Sequence, residues 1–188
     1  MDQTPSVQKL TVEALTEEAF EPFGEVLAVK RREPDLAIAG LQGWIADFQT
    51  DAAAQLLFFT TGYGGLRFGT MERHFHITQT VIPVVGAQLV AVAAPTDPED
   101  VDAIPNADEV RAFVAEEGAG YVMKAGTWHA VGRFPLRPPR ADFIMVTDDA
   151  TSTELIDKPQ PEWGRTQWVD YKERFGTVFE FDTSGLSV

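Results

Sequence analysis

The 188-residue sequence predicts an all-β fold, a barrel or sandwich, with one short helix near its start. Three observations carry this. Runs rich in Val, Ile, Phe and Thr recur at short intervals, glycines and prolines punctuate them, and little of the chain follows the apolar period of a helix. The length suits a single domain that buries roughly two-thirds of the surface its unfolded chain exposes.

Residues 1–9 are expected to form a flexible N-terminus, and order begins at Leu10. Thr16 is placed to cap a short helix whose first turn holds Glu17 and Glu18, where the helix dipole favours acids. Pro22 and Gly24 stop that helix, Phe20 and Phe23 pin it to the body, and a strand follows over 25–29. Between 30 and 50, Pro34, Gly40 and Gly43 break the pattern, so loops and one short strand are expected. Residues 55–61 suit a buried strand, bounded by Gly62, Gly64 and Gly65. The span 75–93 reads as two strands joined by a turn at 84–87, and 95–108 as a polar surface loop. Short strands are expected at 110–114, 121–124 and 127–131, with a strong buried strand over 141–147 after the proline-rich excursion at 134–140. From Pro159 onward, Trp163, Trp168, Tyr171, Phe175, Phe179 and Phe181 are too many aromatics for a free linker. Residues 159–188 are therefore expected to pack on the barrel formed by 10–158, or on a second subunit.

The net charge of −14, from 29 acidic against 15 basic residues, opposes binding to nucleic acid or to an anionic membrane surface. No apolar run approaches the ~20 residues of a membrane span. There is no cysteine, and the N-terminus lacks the pattern of a signal peptide, so a cytoplasmic location is expected. Several of the few bases, Arg73, Lys124, Arg133, Arg137 and Arg140, fall near the stretches that carry histidine.

Those stretches are 69–86, with His74 and His76 at the spacing that puts both on one face of a strand, and 118–133, with Lys124 and His129. They hold all 3 histidines of the chain. Three imidazoles converging from neighbouring strands are a common way to hold one divalent metal ion, with Gln79 able to add a weak amide oxygen. The competing reading is a polar cavity without metal. Glu72 shares the parity of His74 and faces inward, whereas Arg73 faces away on a regular strand.

Gly69, four residues, His74-x-His76, Gln79, six residues and Gly86 resemble the first cupin motif, in which a glutamate usually stands at the place of Gln79. Gly118, five residues, Lys124-x-Gly126, His129 and Arg133 resemble the second, with Lys124 and Arg133 replacing the usual proline and asparagine. The chain more narrowly resembles the ureidoglycolate lyase family. The matching pieces are Leu10 to Val26 with its Phe23-Gly24-Glu25 ending, Glu72-Arg73-His74 with Gln79 and Ile82-Pro83, Arg111-Ala-Phe113, Trp128-His129 and Asp142-Phe143. That resemblance implies a cupin-type β-barrel, or double-stranded β-helix. It also implies a homodimer, and cleavage of ureidoglycolate to glyoxylate and urea, a step of allantoin degradation in purine catabolism.

Breaking that carbon–nitrogen bond requires removal of the hydroxyl proton as the carbonyl forms, and protonation of the departing urea nitrogen. A general base and a general acid are each worth roughly 10²–10⁴ in rate. Lys124, Glu72 and Asp142 are the candidates for moving protons. Arg73, Arg133, Arg140 and Gln79 are candidates for holding the small carboxylate substrate, since guanidinium matches carboxylate in a bidentate fork. His74, His76, His129 and Gln79 are the candidate metal ligands. A metal-dependent cupin of another class, a dioxygenase or isomerase, and a non-catalytic small-molecule-binding cupin are the alternative readings.

Overall fold

The computed structural model describes residues 4–186. In its nine-stranded sheet the order is Thr166–Asp170, Thr70–His74, Trp128–Ala130, Gln88–Ala93, Arg111–Ala115, Ser6–Ala14, Thr177–Asp182 and Arg67–Phe68, with Phe134–Pro135 also paired to Gln88–Ala93. In the five-stranded sheet it is Gly24–Leu27, Gly120–Met123, Gln79–Val85, Arg140–Asp148 and Ala54–Gly62. A small hairpin, Leu36–Ile38 with Leu41–Gly43, pairs with no other strand among the described residues. The two sheets share a core and form the expected all-β fold.

Alternation along one strand explains how the core is divided. In Gln88–Ala93, which is buried throughout, Val90 and Val92 point between the sheets, where they meet Phe20, Phe23, Tyr121 and Phe143. Leu89, Ala91 and Ala93 point to the other side, where they meet Trp128, Phe179 and Phe181. A strand covered on both faces loses its polar alternation and becomes a continuous apolar run.

The short helix forms at Glu17–Phe20, and the Thr16 hydroxyl accepts the Ala19 N–H at 3.2 Å. Phe20 and Phe23 lie in the aromatic end of the barrel core. Gly24 then enters its strand against Gly120–Met123, and any Cβ there would stand 1.8 Å from the Val122 carbonyl oxygen. Only glycine permits that approach.

Two expectations are corrected and one is made specific. The chain is already a strand from Ser6, because Ser6 to Lys9 pair with Thr177 to Glu180, so a flexible segment through residue 9 does not describe it. The segment from 159 is woven into the larger sheet, supplying Thr166–Asp170 beside Thr70–His74 and Thr177–Asp182 beside Ser6–Ala14. The strand Ala54–Gly62 is at the edge of its sheet, not buried, and leaves Leu56 75% and Phe58 66% exposed.

Candidate active site

Thr70–His74 lies between Trp128–Ala130 and Thr166–Asp170, and its register sets the site. His129 is the cross-strand partner of Glu72, and Thr166 that of His74. Register partners share a face of a sheet, so Glu72, His74 and His129 project together to the barrel interior while Met71 packs in the opposite cluster. His129 Nε2 stands 3.3 Å and His74 Nε2 3.8 Å from the same oxygen, Glu72 Oε1. One ligand atom from each residue lies within 4.8 Å of the others, and all three side chains are buried.

The outward ring nitrogens are engaged: His74 Nδ1 meets the Thr166 hydroxyl at 2.8 Å, and His129 Nδ1 the Thr127 carbonyl at 3.3 Å. Both Nε2 atoms are buried without a hydrogen-bond partner among the described residues. Buried polar groups are rarely left so, and two imidazole nitrogens and one carboxylate are a donor set that suits a divalent metal ion with open positions. The residues present fit such an ion. Burial pushes the His74 imidazole down to about 4, so it is neutral at physiological pH. Burial pulls the Glu72 carboxyl the other way, but the adjoining His129 and His74 rings and the charge of Arg133 outweigh it and hold the group down at about 2.

Arg133 links this cluster to the outside. Its Nη2 donates to Gln79 Oε1 at 3.0 Å, and its buried Nε has no partner among the described residues. Its guanidinium, 6.0 Å from the Phe143 ring, also lines an open cavity of about 290 Å³ with Phe59, Thr61, Phe143 and Met145. A larger depression of about 550 Å³ lies between Glu116, Glu117, Arg137 and Arg140; neither cavity is lined by Glu72, His74 or His129, and Arg133 is what joins the smaller one to the cluster.

Residues 7–162 match the family model for ureidoglycolate lyase. The chain belongs to the ureidoglycolate lyase family. It is 33% identical over 150 residues to the ureidoglycolate lyase of Brucella ovis, covering 74% of this chain and 83% of that one. The enzyme of Pseudomonas syringae pv. syringae is 31% identical over 131 residues, covering 65% and 74%. That of Schizosaccharomyces pombe is 29% identical over 153 residues, covering 65% and 76%.

Of the residues proposed from sequence for this family member's site, the fold brings together Glu72, His74, His129, Gln79 and Arg133. Five others stand elsewhere. His76 does not share the face of His74, because the strand ends at His74 and the chain bends; its ring is half exposed, with Nδ1 3.2 Å from Asp51. Lys124 is exposed on the barrel end, where its Nζ donates to the Glu21 carbonyl at 2.6 Å as a cap of the short helix. Asp142 alternates with the inward Phe143 and lies on the outer face beside Thr60 and Arg140, both of which lower its pKa, the Thr60 hydroxyl more. Arg140 is itself largely exposed and pairs with that Asp142 at 3.2 Å.

Arg73 is fully buried, but on the opposite face from the cluster. It donates to Gln167 Oε1 and Thr96 Oγ1, both at 2.8 Å, and to the carbonyls of Thr96, Asp97 and Asp100. Its guanidinium also lies 4.6 Å from the Phe75 ring and 4.8 Å from that of Trp128. Burial lowers its pKa to about 10, which leaves it charged. Arg73 ties the 95–108 loop and the C-terminal strand to the back of the site strand, and no hydrogen-bonding capacity remains for a substrate.

Thr166, which meets His74, and Phe59, Thr61, Phe143 and Met145, which line the cavity beside Arg133, are not assigned to the site from sequence. Thr166 follows Gly164-Arg165, which looks like a break, and it becomes visible only through its register with His74.

Proposed function

We propose that this chain cleaves the carbon–nitrogen bond of ureidoglycolate, releasing glyoxylate and urea. The observation that carries the reading is the buried Glu72–His74–His129 cluster near an arginine whose Nε has no partner among the described residues and whose cavity opens outward. The chain's membership of the ureidoglycolate lyase family supports the same substrate.

The substrate carries a carboxylate, a hydroxyl and a ureido nitrogen on one carbon. Arg133, with Nη2 held by Gln79 Oε1 and Nη1 by the Gly132 carbonyl, offers its remaining N–H groups to the carboxylate. The hydroxyl then points to the cluster. Both short contacts of Glu72 run through Oε1, which leaves Oε2 to receive the hydroxyl proton as the O–H electrons form the carbonyl. The carbon–nitrogen pair departs with the urea nitrogen, and the proton held on Glu72 is returned there.

A carboxyl held near 2 is a weak base for an alcohol. Glu72, His74 and His129 would hold one divalent metal ion, which would lower the pKa of the hydroxyl and orient it. The cluster itself is buried, and Phe59, Phe143 and Met145 make the lining of the neighbouring open cavity largely apolar.

The proposal extends to a homodimer. Ala54–Gly62 is an open sheet edge without charge or proline, the devices that normally blunt such an edge. Its exposed Leu56 and Phe58 continue onto Val146 and Ile144, their register partners on the outer face. The same strand of a second copy, antiparallel about a two-fold axis, makes a self-complementary cover. A cytoplasmic place in purine breakdown belongs to the same reading, supported by the absence of cysteine. No helix among the described residues is long and apolar enough to cross a membrane.

A coupled assay for glyoxylate and urea on each enantiomer, with and without added divalent metals, tests the reading, and no product under any of these conditions contradicts it. Because two histidines and a carboxylate also serve iron-dependent oxygenases, oxygen uptake with added Fe²⁺ is the companion measurement. Uptake without urea release favours an oxygenase instead.

A further inference from the structure

The family match ends at residue 162. Just beyond it the chain adds Thr166–Asp170 alongside Thr70–His74, and Thr166 falls directly opposite His74. Both side chains are buried, at 0% and 3% exposure. The Thr166 hydroxyl oxygen lies 2.8 Å from His74 Nδ1, while Nε2 on the far side of the ring faces Glu72. We propose that Thr166 is the positioning residue for His74: its hydroxyl accepts the Nδ1 proton, sets the ring plane and leaves the Nε2 lone pair directed at Glu72 and His129. The consequence for turnover rests on the lyase reading of that cluster, whereas the geometry does not.

The place of Thr166 is itself held from outside the barrel. Glu154, on the helix Asp149–Asp157, accepts the backbone N–H groups of Arg165 and Thr166, each at 2.8 Å. Gly164 makes that approach possible, since a Cβ there would stand 2.1 Å from the Glu154 carboxylate. The helix is fixed in turn by Asp148, which accepts the Thr151 N–H at 2.6 Å. The same Asp148 lies 3.3 Å from Arg165. A chain of bonds thus runs from the helix through Glu154 and Thr166 to His74. The segment beyond the family match completes the setting of a site histidine.

The chemical reason is the tautomer. A neutral imidazole offers a lone pair at one nitrogen only, and the partner of the other nitrogen decides which. Valine fills the same space as threonine but offers no oxygen to accept the Nδ1 proton.

The test reads the histidine directly. In protein labelled with ¹⁵N-histidine and freed of metal, the two nitrogen shifts of His74 report the tautomer, and Zn²⁺ affinity is measured by competition with a chromophoric chelator. The wild-type protein is expected to hold the proton on Nδ1. Thr166→Val is expected to lose that preference and to bind Zn²⁺ about 10–100-fold more weakly, while Thr166→Ser retains both properties. A wild-type proton on Nε2 overturns the inference without recourse to any variant, as does a Thr166→Val protein whose tautomer and Zn²⁺ affinity are unchanged. Neither readout uses ureidoglycolate. If they come out as expected and no lyase activity is found, the positioning role stands and the functional reading falls.

Discussion

Glu72 and His129 are direct partners across two antiparallel strands, and His129 Nε2 lies 3.3 Å from Glu72 Oε1 with both side chains buried. This contact puts the carboxylate at the centre of the cluster, shared between two imidazoles. Glu72→Gln preserves the shape and removes the charge. It is expected to lower kcat for ureidoglycolate by roughly 10²–10⁴, the span of a lost general base, with a smaller change in KM. Initial-rate kinetics of glyoxylate release check this.

Arg133 and Lys124 both belong to the second cupin-like motif, and the fold separates them. Arg133→Lys keeps the charge but loses the fork, so KM is expected to rise by about tenfold or more, in line with the ~1.5–3 kcal/mol of a charged hydrogen bond. Lys124→Ala is expected to leave kcat/KM within about twofold and to lower stability by at most ~1 kcal/mol, as for an exposed ion pair. A wild-type KM in Arg133→Lys, or a collapse of turnover in Lys124→Ala, reverses the assignment.

Stability should fall in mild acid. His74 has a folded pKa of about 4 against about 6.5 in the unfolded chain. The unfolded state therefore takes up the proton first. The stabilisation is full above about pH 6.5 and is lost as pH falls toward 4, by an amount on the order of 3 kcal/mol. Glu72, held at about 2 against an ordinary 4.5, adds a further loss below about pH 4.5. Urea unfolding of the metal-free protein from pH 7.5 to 4 should show the midpoint dropping, and His74→Asn should flatten the upper part of that decline.

Much of the site was legible from local spacing, and what was not depended on where strands end. Glu72 and His74 share a parity that alternation alone supplies, and His129 follows from its motif position. His76 lies away from the cluster because the strand stops at His74, a stop that no glycine or proline marks. Asp142 and Lys124 lie away from it for a different reason: composition locates a residue on a strand or turn but does not say which side of the sheet is inside. The aromatic tail was expected to pack somewhere, yet its pairing with Thr70–His74 joins residues about a hundred positions apart, and only closure of the sheet sets that register. The exposed Phe58 shows the reverse limit, since an apolar run implies burial without saying whether the cover is the same chain.

Phe58→Glu tests that last point. A charge at the middle of the bare edge strand should convert a dimer to a monomer in light scattering coupled to size exclusion, with the barrel's circular dichroism unchanged. A wild-type monomer, or a Phe58→Glu dimer of wild-type affinity, removes Ala54–Gly62 as the interface.

The most direct measurement compares glyoxylate and urea release, assayed in parallel on one enantiomer at a time, between the wild-type protein and a His74→Asn/His129→Asn variant. The buried cluster predicts equimolar products from the wild type with one enantiomer and a rate from the variant reduced by at least about 10². Wild-type turnover in the folded double variant, or no product from the wild type with any divalent metal supplied, would contradict it.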